Sequence, residues 1–302
     1  MVLCVDVEPD TREIELGEQA WLGFERLLER LPELRRRLGV LVRGGVRISW
    51  FVRADPQVEI VHGSAGWAFE RFATELEALR RAGDEIALHV HAWRRDKDGW
   101  LVDHGDAQWV TRCVLTGLEA YRSAFGSAPA SYRGGDRFIT GEVVAMLESA
   151  GVSADVTLEP RMPPAAGLTS YERTTGALPD YTRAPTRVYR ASREDFLRPS
   201  EPARHLTMIP LTPGGPETLY PWMHPPQFAE RLFDRVREPD LTHLAFALRS
   251  DLALNDREWE QMLANLEIVP HVLASATDRR MCFVRAEELA RAQSRRIGSR
   301  RR

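Results

Sequence analysis

The chain has 302 residues, 43% of them hydrophobic and 28% charged, with a formal net charge of −3. That composition is ordinary for a globular protein, with length for one large core or two small ones. The charge balance excludes the basic footprint of a nucleic-acid binder. No run approaches the roughly 20 apolar residues of a membrane span, and the first apolar strand begins at residue 2 without a basic or long apolar leader, so a cytoplasmic location is expected. Lys97 is the only lysine, so the positive charge is almost all arginine, a side chain suited to carboxylates and phosphates. Cys4, Cys113 and Cys282 lie far apart in apolar runs and are expected to be buried free thiols.

The first expected strand is 2–5, in Val2-Leu3-Cys4-Val5-Asp6-Val7-Glu8. A helical stretch follows over 17–38, where Trp21, Phe24, Leu27, Leu28, Leu31, Leu34 and Leu38 recur at helical spacing and Pro32 should break or kink it. Strand two is expected at 46–52, leaving through Arg53-Ala54-Asp55-Pro56. A helix over 66–81 is stopped by Gly83, and strand three runs 85–89. The polar segment 92–106 reads as a loop, and 107–125 as a long helix. Then come a strand at 131–133, the pair Gly134-Gly135, a helix over 141–150 and a strand at 152–156. This alternation argues for parallel strands joined by crossovers.

Residues 158–185 interrupt the rhythm with a long Pro-, Thr- and Gly-rich loop. Short strands at 187–190 and 205–211 suggest a hairpin or an added edge, with another loop over 213–226. A helix at 227–237, a strand at 244–248, a helix at 257–273, a last strand at 281–284 and a helix at 286–293 complete the pattern. A single α/β domain over 1–294 with a long insertion near 158–226 is expected, followed by a basic, disordered tail at 295–302. The insertion is where substrate choice should lie.

In parallel α/β barrels, functional groups stand at the C-terminal ends of strands. Here those ends carry Asp6 and Glu8, Arg53 and Asp55, His89 and His91, Arg133, and Asp155. Two carboxylates and two imidazoles make a zinc-type shell with a base to spare. A divalent ion acidifies a bound water, and an unligated carboxylate takes its proton. Asp6 and Glu8 are two residues apart, as are His89 and His91, so each pair shares a strand face and can diverge where the strand ends. Arg133 either orients a catalytic carboxylate or makes a structural salt bridge, with Asp155 as the candidate partner. Among the aromatics Trp50, Trp93, Trp100, Trp109, Tyr189 and Trp222, core packing should claim most. At least one of Trp93, Trp100 and Trp222 is expected to stack on a substrate.

Four of these segments resemble, in order, motifs of the NodB-type polysaccharide deacetylase superfamily, the fourth carbohydrate esterase family and its relatives. Val5-Asp6-Val7-Glu8 resembles the first motif, an acidic pair; the resemblance makes Asp6 the base and Glu8 a metal ligand. Gly83 to His91 resembles the Gly-His-Glu-Ile-x-x-His stretch, making His89 a ligand. Ser131-Tyr132-Arg133-Gly134-Gly135 resembles the third motif, whose arginine contacts the base, and Gly151 to Asp155 resembles the fourth, which lines the site. Where the family places its second ligand histidine, this chain has Trp93. A His-x-His subgroup followed by tryptophan is more similar, which makes His91 the substitute ligand. The last motif, Leu-x-His, is absent: the matching strand runs into Arg249-Ser250-Asp251, and His243 lies at its other end. The general acid is therefore unassigned: His91, His104 or His224 could supply it, the leaving amine could be protonated otherwise, or hydrolysis could be weak or absent.

The resemblance implies an irregular (β/α)7-type barrel, a divalent metal (zinc, or cobalt or another ion) and amide hydrolysis by metal-activated water. The implied catalytic residues are Asp6, Arg133 and Asp155; the metal ligands are Glu8, His89 and His91; substrate contacts are expected from Arg53, Asp55, Trp93, Gly134, Gly135 and Trp222. The expected function is N-deacetylation of an amino-sugar-containing substrate. The alternatives are hydrolysis of a non-sugar amide, imide or ureide, and a degenerate glycan-binding domain. A carbohydrate or small amide is the expected partner, with no nucleic acid and no membrane span.

Overall fold

The computed structural model describes residues 1–11, 21–165, 173–239, 241–277 and 280–300. Strand β1 (Val2–Val7) leads to helix α1 (Leu22–Gly39), β2 (Ser49–Arg53), α2 (Pro56–His62), α3 (Trp67–Arg71), α4 (Ala73–Arg81) and β3 (Glu85–Val90). A hairpin, β4 (Trp93–Asp96) and β5 (Gly99–Asp103), precedes α5 (Ala107–Phe125), β6 (Ser131–Gly134), α6 (Gly141–Ser149) and β7 (Ala154–Asp155). Then come β8 (Thr174–Thr175), β9 (Tyr189–Ser192), β10 (Ala203–Met208), α7 (Pro225–Arg237), β11 (Ala245–Arg249), α8 (Asp256–Ala276) and α9 (Ala286–Arg300). No helix among the described residues is long and apolar enough to cross a membrane.

Eight strands form one sheet in the order β11-β1-β2-β3-β6-β7-β10-β9, parallel throughout except for the antiparallel pair β9–β10. The sheet curls into an incomplete barrel. Beyond β10 the chain turns toward the opposite edge, where the Thr212 N–H donates to Ala245 O at 2.9 Å. The two faces follow from the two-residue period of a strand. Leu3, Val5, Trp50, Val52, Ile86 and Leu88 face outward into the large core shared with the helices. Val2, Cys4, Phe51, Ala87, Ala154, Ala245 and Ala247 face inward, with Ala286 and Ala290 of α9 packed against them. The inward residues are mostly small, as a narrow interior requires. Continuing the same alternation past Cys4, Phe51 and Ala87 gives Asp6, Arg53 and His89, which therefore meet at one end of the barrel.

Several local expectations are corrected. Helix α1 runs unbroken through Pro32, because Phe24, Leu27, Leu31, Leu34 and Leu38 all bury on the core and outweigh one lost hydrogen bond; residues 17–20 lie outside the described residues. Asp55-Pro56 starts helix α2, with the Asp55 carboxylate accepting from the Gln57 and Val58 N–H groups at 3.0 and 3.2 Å. The helix expected at 66–81 divides at Phe72 into α3 and α4. The expected loop at 92–106 contains the β4–β5 hairpin, in which Trp93, Trp100 and Val102 form a small buried cluster. Residues 281–284 make no strand: their backbone hydrogen-bonds to Met1, whose amino group donates to Cys282 O at 2.7 Å and whose carbonyl accepts from Val284 N–H at 2.9 Å. Cys282 is exposed there, unlike the buried Cys4 and Cys113. Helix α9 continues to Arg300, where a disordered tail was expected from 295; residues 301 and 302 lie outside the described residues.

Helix α5 lies against the sheet at Gly117, where a Cβ would sit 2.6 Å from Ala54 O and 2.7 Å from Val90 Cγ2. The backbone oxygen cannot yield without moving the β2–α2 connection. Gly117→Val should lower stability by about 1–3 kcal/mol, read as a shift of the urea midpoint at unchanged slope; an unshifted midpoint would contradict this packing.

Candidate active site

Parallel pairing sets the strand ends level: Asp6 lies beside Arg249 and Phe51, Arg53 beside His89, and His89 beside Arg133. The C-terminal ends of β1, β3, β6 and β11 thus surround a cleft of about 300 Å³ lined by Asp6, Glu8, His89, His91, Arg133 and Arg249, among others.

Glu8 stands just past β1, where its N–H donates to Ser250 Oγ at 3.4 Å and its carbonyl accepts from the same hydroxyl at 3.2 Å. Its Oε2 is 3.1 Å from His91 Nε2 and 3.9 Å from His89 Nε2. The two Nε2 atoms are 3.0 Å apart, and one ligand atom from each of the three residues falls within 4.8 Å of the others. The remaining ring nitrogens define the tautomers. His89 Nδ1 is 2.9 Å from Arg133 O, and His91 Nδ1 is 2.8 Å from Asp136 Oδ2. Both partners are acceptors, so both Nδ1 atoms carry a proton, and in the neutral imidazoles both Nε2 lone pairs face Glu8. Lone pairs so crowded repel unless a cation sits among them. The two-imidazole, one-carboxylate set, each imidazole oriented by an outer acceptor, fits zinc or another first-row divalent ion.

The electrostatics leave Glu8 ionised and His89 neutral, and favour a proton on His91 that a bound cation would displace. Burial opposes ionisation of Glu8, but the Arg249 guanidinium and the hydrogen bond from His91 hold its carboxyl well below the usual range. Burial pushes His89 down to about 4, so its imidazole is neutral. Burial also opposes charge on His91, yet the Asp136 carboxylate outweighs it and raises that pKa. Asp6 sits beside the cluster with both carboxylate oxygens accepting from Arg133 Nε, at 2.9 and 3.0 Å. Arg133 is in turn anchored by donation from Nη1 to Val156 O at 2.8 Å.

Other candidates fall elsewhere. Asp155 is fully buried and accepts from Thr157 N–H and Oγ1 at 3.0 and 2.8 Å; it shapes the turn behind Arg133 and neither pairs with that arginine nor lines the cleft. Arg53 and Asp55 are fully buried behind the ligand cluster. Arg53 Nε donates to Asp55 Oδ2 at 2.7 Å, its Nη1 lies 3.8 Å from Glu8 Oε2, and Asp55 accepts from His91 N–H at 3.1 Å. They position Glu8 and His91 and do not reach a substrate. Trp93 is sealed in the hairpin cluster and cannot stack on a sugar, and Trp100 is buried with it. Gly134 donates its N–H to Thr157 Oγ1 at 2.7 Å. Gly135 is a slot for the His91 ring, since a Cβ there would meet ring atoms at 2.3–2.4 Å. Trp222 does line the cleft, stacked on Tyr220 with centroids 4.3 Å apart. Of the histidines considered as acids besides His91, His104 stacks on Phe138 and His224 is exposed at the start of α7; neither lines the cleft, nor does His243, which meets Pro210 O at 2.8 Å.

Sequence reasoning missed Asp136, Arg137, Glu159 and Tyr220. Asp136 had a signal: an acid directly after the glycine pair that follows Arg133.

No family model matches the chain, and no curated protein matches it. Solved structures do. A candidate glycoside hydrolase/deacetylase from Parabacteroides distasonis aligns over 96% of this chain and 70% of its own, at 12% identity and a TM-score of 0.59. The chain has the NodB-type deacetylase fold. A candidate polysaccharide deacetylase from Mycobacterium smegmatis aligns over 93% of both chains, at 16% identity and a TM-score of 0.48. A family 4 carbohydrate esterase from Streptomyces lividans aligns over 91% of this chain and 87% of its own, at 11% identity and a TM-score of 0.40. Within the NodB-type fold, the Glu8–His89–His91 cluster occupies the strand ends where barrel folds build their sites.

Gly135→Ala should displace His91 and weaken zinc binding about 10- to 100-fold while the chain still folds, as titration calorimetry and circular dichroism would read. Unchanged zinc affinity would contradict the slot. A second expectation concerns Asp155, whose carboxyl is raised by burial from 3.8 to about 7. Across that window the folded chain holds a proton that the unfolded chain has released, so this group makes stability fall as pH rises. Asp155→Asn should flatten the decline in urea midpoint between about pH 4 and about pH 7; an unaltered slope would contradict the shift.

Proposed function

We propose that this chain is a metal-dependent amide hydrolase that removes an acyl group, acetyl in the simplest case, from an amino-sugar-containing substrate. One observation carries the reading: three converging donor atoms, Glu8 Oε2 and the Nε2 atoms of His89 and His91, with an arginine-clamped carboxylate, Asp6, on the same cleft wall. The NodB-type fold, and the glycoside hydrolase/deacetylase description of the solved structure from Parabacteroides distasonis, support a carbohydrate substrate.

Glu8, His89 and His91 would hold the ion. Bound there, a divalent metal supplies Lewis acidity toward a water and an acyl oxygen. Asp6 then acts as general base, taking a proton from the attacking water at a carboxylate oxygen. Arg133 fixes the direction of that carboxylate by engaging both oxygens, and its own geometry is fixed by Val156 O. Asp136 and Arg133 O hold the two imidazoles with Nε2 facing the cluster. With His91 engaged as a ligand and neither His104 nor His224 on the cleft wall, the proton taken up by Asp6 is the one returned to the leaving nitrogen, giving a carboxylic acid and an amine from amide and water.

A specific feature favours a second reading, a glycan-binding domain without hydrolysis. Arg249 Nε lies 3.3 Å from Glu8 Oε1, where its charge competes with an ion for that carboxylate, and it stands where the family's acid histidine is absent. Elemental analysis of the purified chain, paired with acetate release from N-acetylated sugars, separates the two. The hydrolase reading expects one divalent ion per chain, lost in Glu8→Ala and His89→Ala. It also expects Asp6→Asn to keep the ion and lose about 10²- to 10⁴-fold in turnover. An Asp6→Asn variant as active as the wild type, or acetate release with no metal, would refute it. Metal and hydrolysis both absent, with sugar binding intact, would support the second reading. Inert acetylated sugars beside a cleaved imide or ureide would move the substrate class.

A further inference from the structure

The charged groups of the cleft are almost all satisfied within the protein. Four acids line it. Asp6 is clamped by Arg133, Glu8 faces His91 and Arg249, and Asp136 accepts from His91. The fourth, Glu159, accepts from Thr218 Oγ1 at 2.8 Å and from the Tyr220 hydroxyl at 2.6 Å. Three arginines line it as well. Arg133 is committed to Asp6 and Val156 O, and Arg249 to Glu8 and Asp251. The guanidinium of the third, Arg137, makes no hydrogen bond or ion pair among the described residues. It is half-buried on the cleft wall, with up to five donors unused.

The backbone beneath it is strained. Asp136 and Arg137 have φ of 54° and 58°, two consecutive non-glycine residues in the left-handed region, which such residues seldom enter. Buried Tyr181 holds the turn: its hydroxyl donates to Arg137 O at 2.8 Å and accepts from Ile139 N–H at 3.0 Å. The strain at Asp136 is explained by the carboxylate it delivers to His91 Nδ1. Among the described residues the Arg137 side chain makes no hydrogen bond or ion pair that accounts for this backbone; what the turn achieves is to set that side chain on the wall of the cleft that holds the ligand cluster. Strain held in place by surrounding structure is characteristic of ligand-handling sites.

We infer that Arg137 recognises an anionic group, a carboxylate or a phosphate, carried by the substrate close to its scissile amide. The inference rests on the hydrolase reading in so far as it calls the occupant of the cleft a substrate. A guanidinium fork matches either anion with paired, charge-assisted hydrogen bonds, and each of the four acids lining the cleft is already engaged within the protein. Arg137 thereby discriminates an acidic amino sugar from a neutral one, a choice that neither the ligand cluster nor the Asp6–Arg133 pair makes.

Titration calorimetry of the full chain as purified tests this with matched probes: N-acetylglucosamine, its 1-phosphate, its 6-phosphate, and N-acetylglucosaminuronic acid. At least one charged probe should bind about ten- to a hundredfold more tightly than the neutral sugar. That preference should collapse in Arg137→Leu and largely return in Arg137→Lys; Arg137→Gln is a second neutral variant should the leucine variant fail to fold. The winning probe tells phosphate from carboxylate. Equal binding of all four, no binding of any charged probe, or a preference that survives the neutral variants would overturn the inference. Acetate release is read in the same samples. Charge preference without hydrolysis contradicts the hydrolase reading and leaves the role of Arg137 standing; hydrolysis without charge preference does the reverse.

Discussion

The site depends on holding two imidazole lone pairs and a carboxylate oxygen against one another. His89 and His91 face each other with Nε2 atoms 3.0 Å apart, and Glu8 Oε2 is 3.1 Å from the second. Left to themselves, these groups would rotate apart or take up protons. Instead each is held from behind: His89 by Arg133 O, His91 by Asp136 and by the lack of a side chain at Gly135, Glu8 by Ser250 and Arg249. Arg53 and Asp55 form a second buried layer against Glu8 Oε2 and the His91 N–H. The position of Asp6 relative to the cluster follows from the same arrangement, because Arg133 both clamps Asp6 and offers its carbonyl to His89.

The fold supplies the convergence through strand alternation and small inward residues. Val2, Cys4 and Asp6 share one face of β1 and Glu8 follows just past its end; the first two fill the barrel interior and the last two reach its mouth. Ala87 and His89 repeat this on β3. Alanine-rich inner positions on β7 and β11 keep the interior narrow, which brings strand ends within hydrogen-bonding distance across the barrel. Arg133 on β6 thus reaches Asp6 on β1, although β2 and β3 lie between them in the sheet.

Much of this was legible in the sequence because it depends on local period. Apolar strands ending in Asp6, Glu8, His89, His91 and Arg133 show both the parallel sheet and the polar cluster at its C-terminal edge. What was not legible depends on contacts remote in sequence or on backbone outside the common regions. Asp136 acts through a left-handed turn that composition does not reveal, and it was passed over beside the glycine pair. Gly135 reads as a ligand-approach glycine but is a slot for His91. Arg53 and Asp55 look like site residues by position, yet the chain folds α2 over them and buries both. Trp93 and Trp100 read as loop aromatics because the charged residues around them hid the two-residue alternation of a hairpin. Pro32 misled in the opposite direction, since tertiary burial on both sides of it carried α1 through.

The account stands on Glu8, His89 and His91 sharing one cation. X-ray absorption at the zinc edge of the zinc-loaded chain tests that most directly. The account predicts a first shell of imidazole nitrogen and carboxylate oxygen, with the outer-ring scattering of two histidines and no sulfur. A sulfur shell, the signature of a single histidine, or a spectrum unchanged in His91→Ala would contradict it.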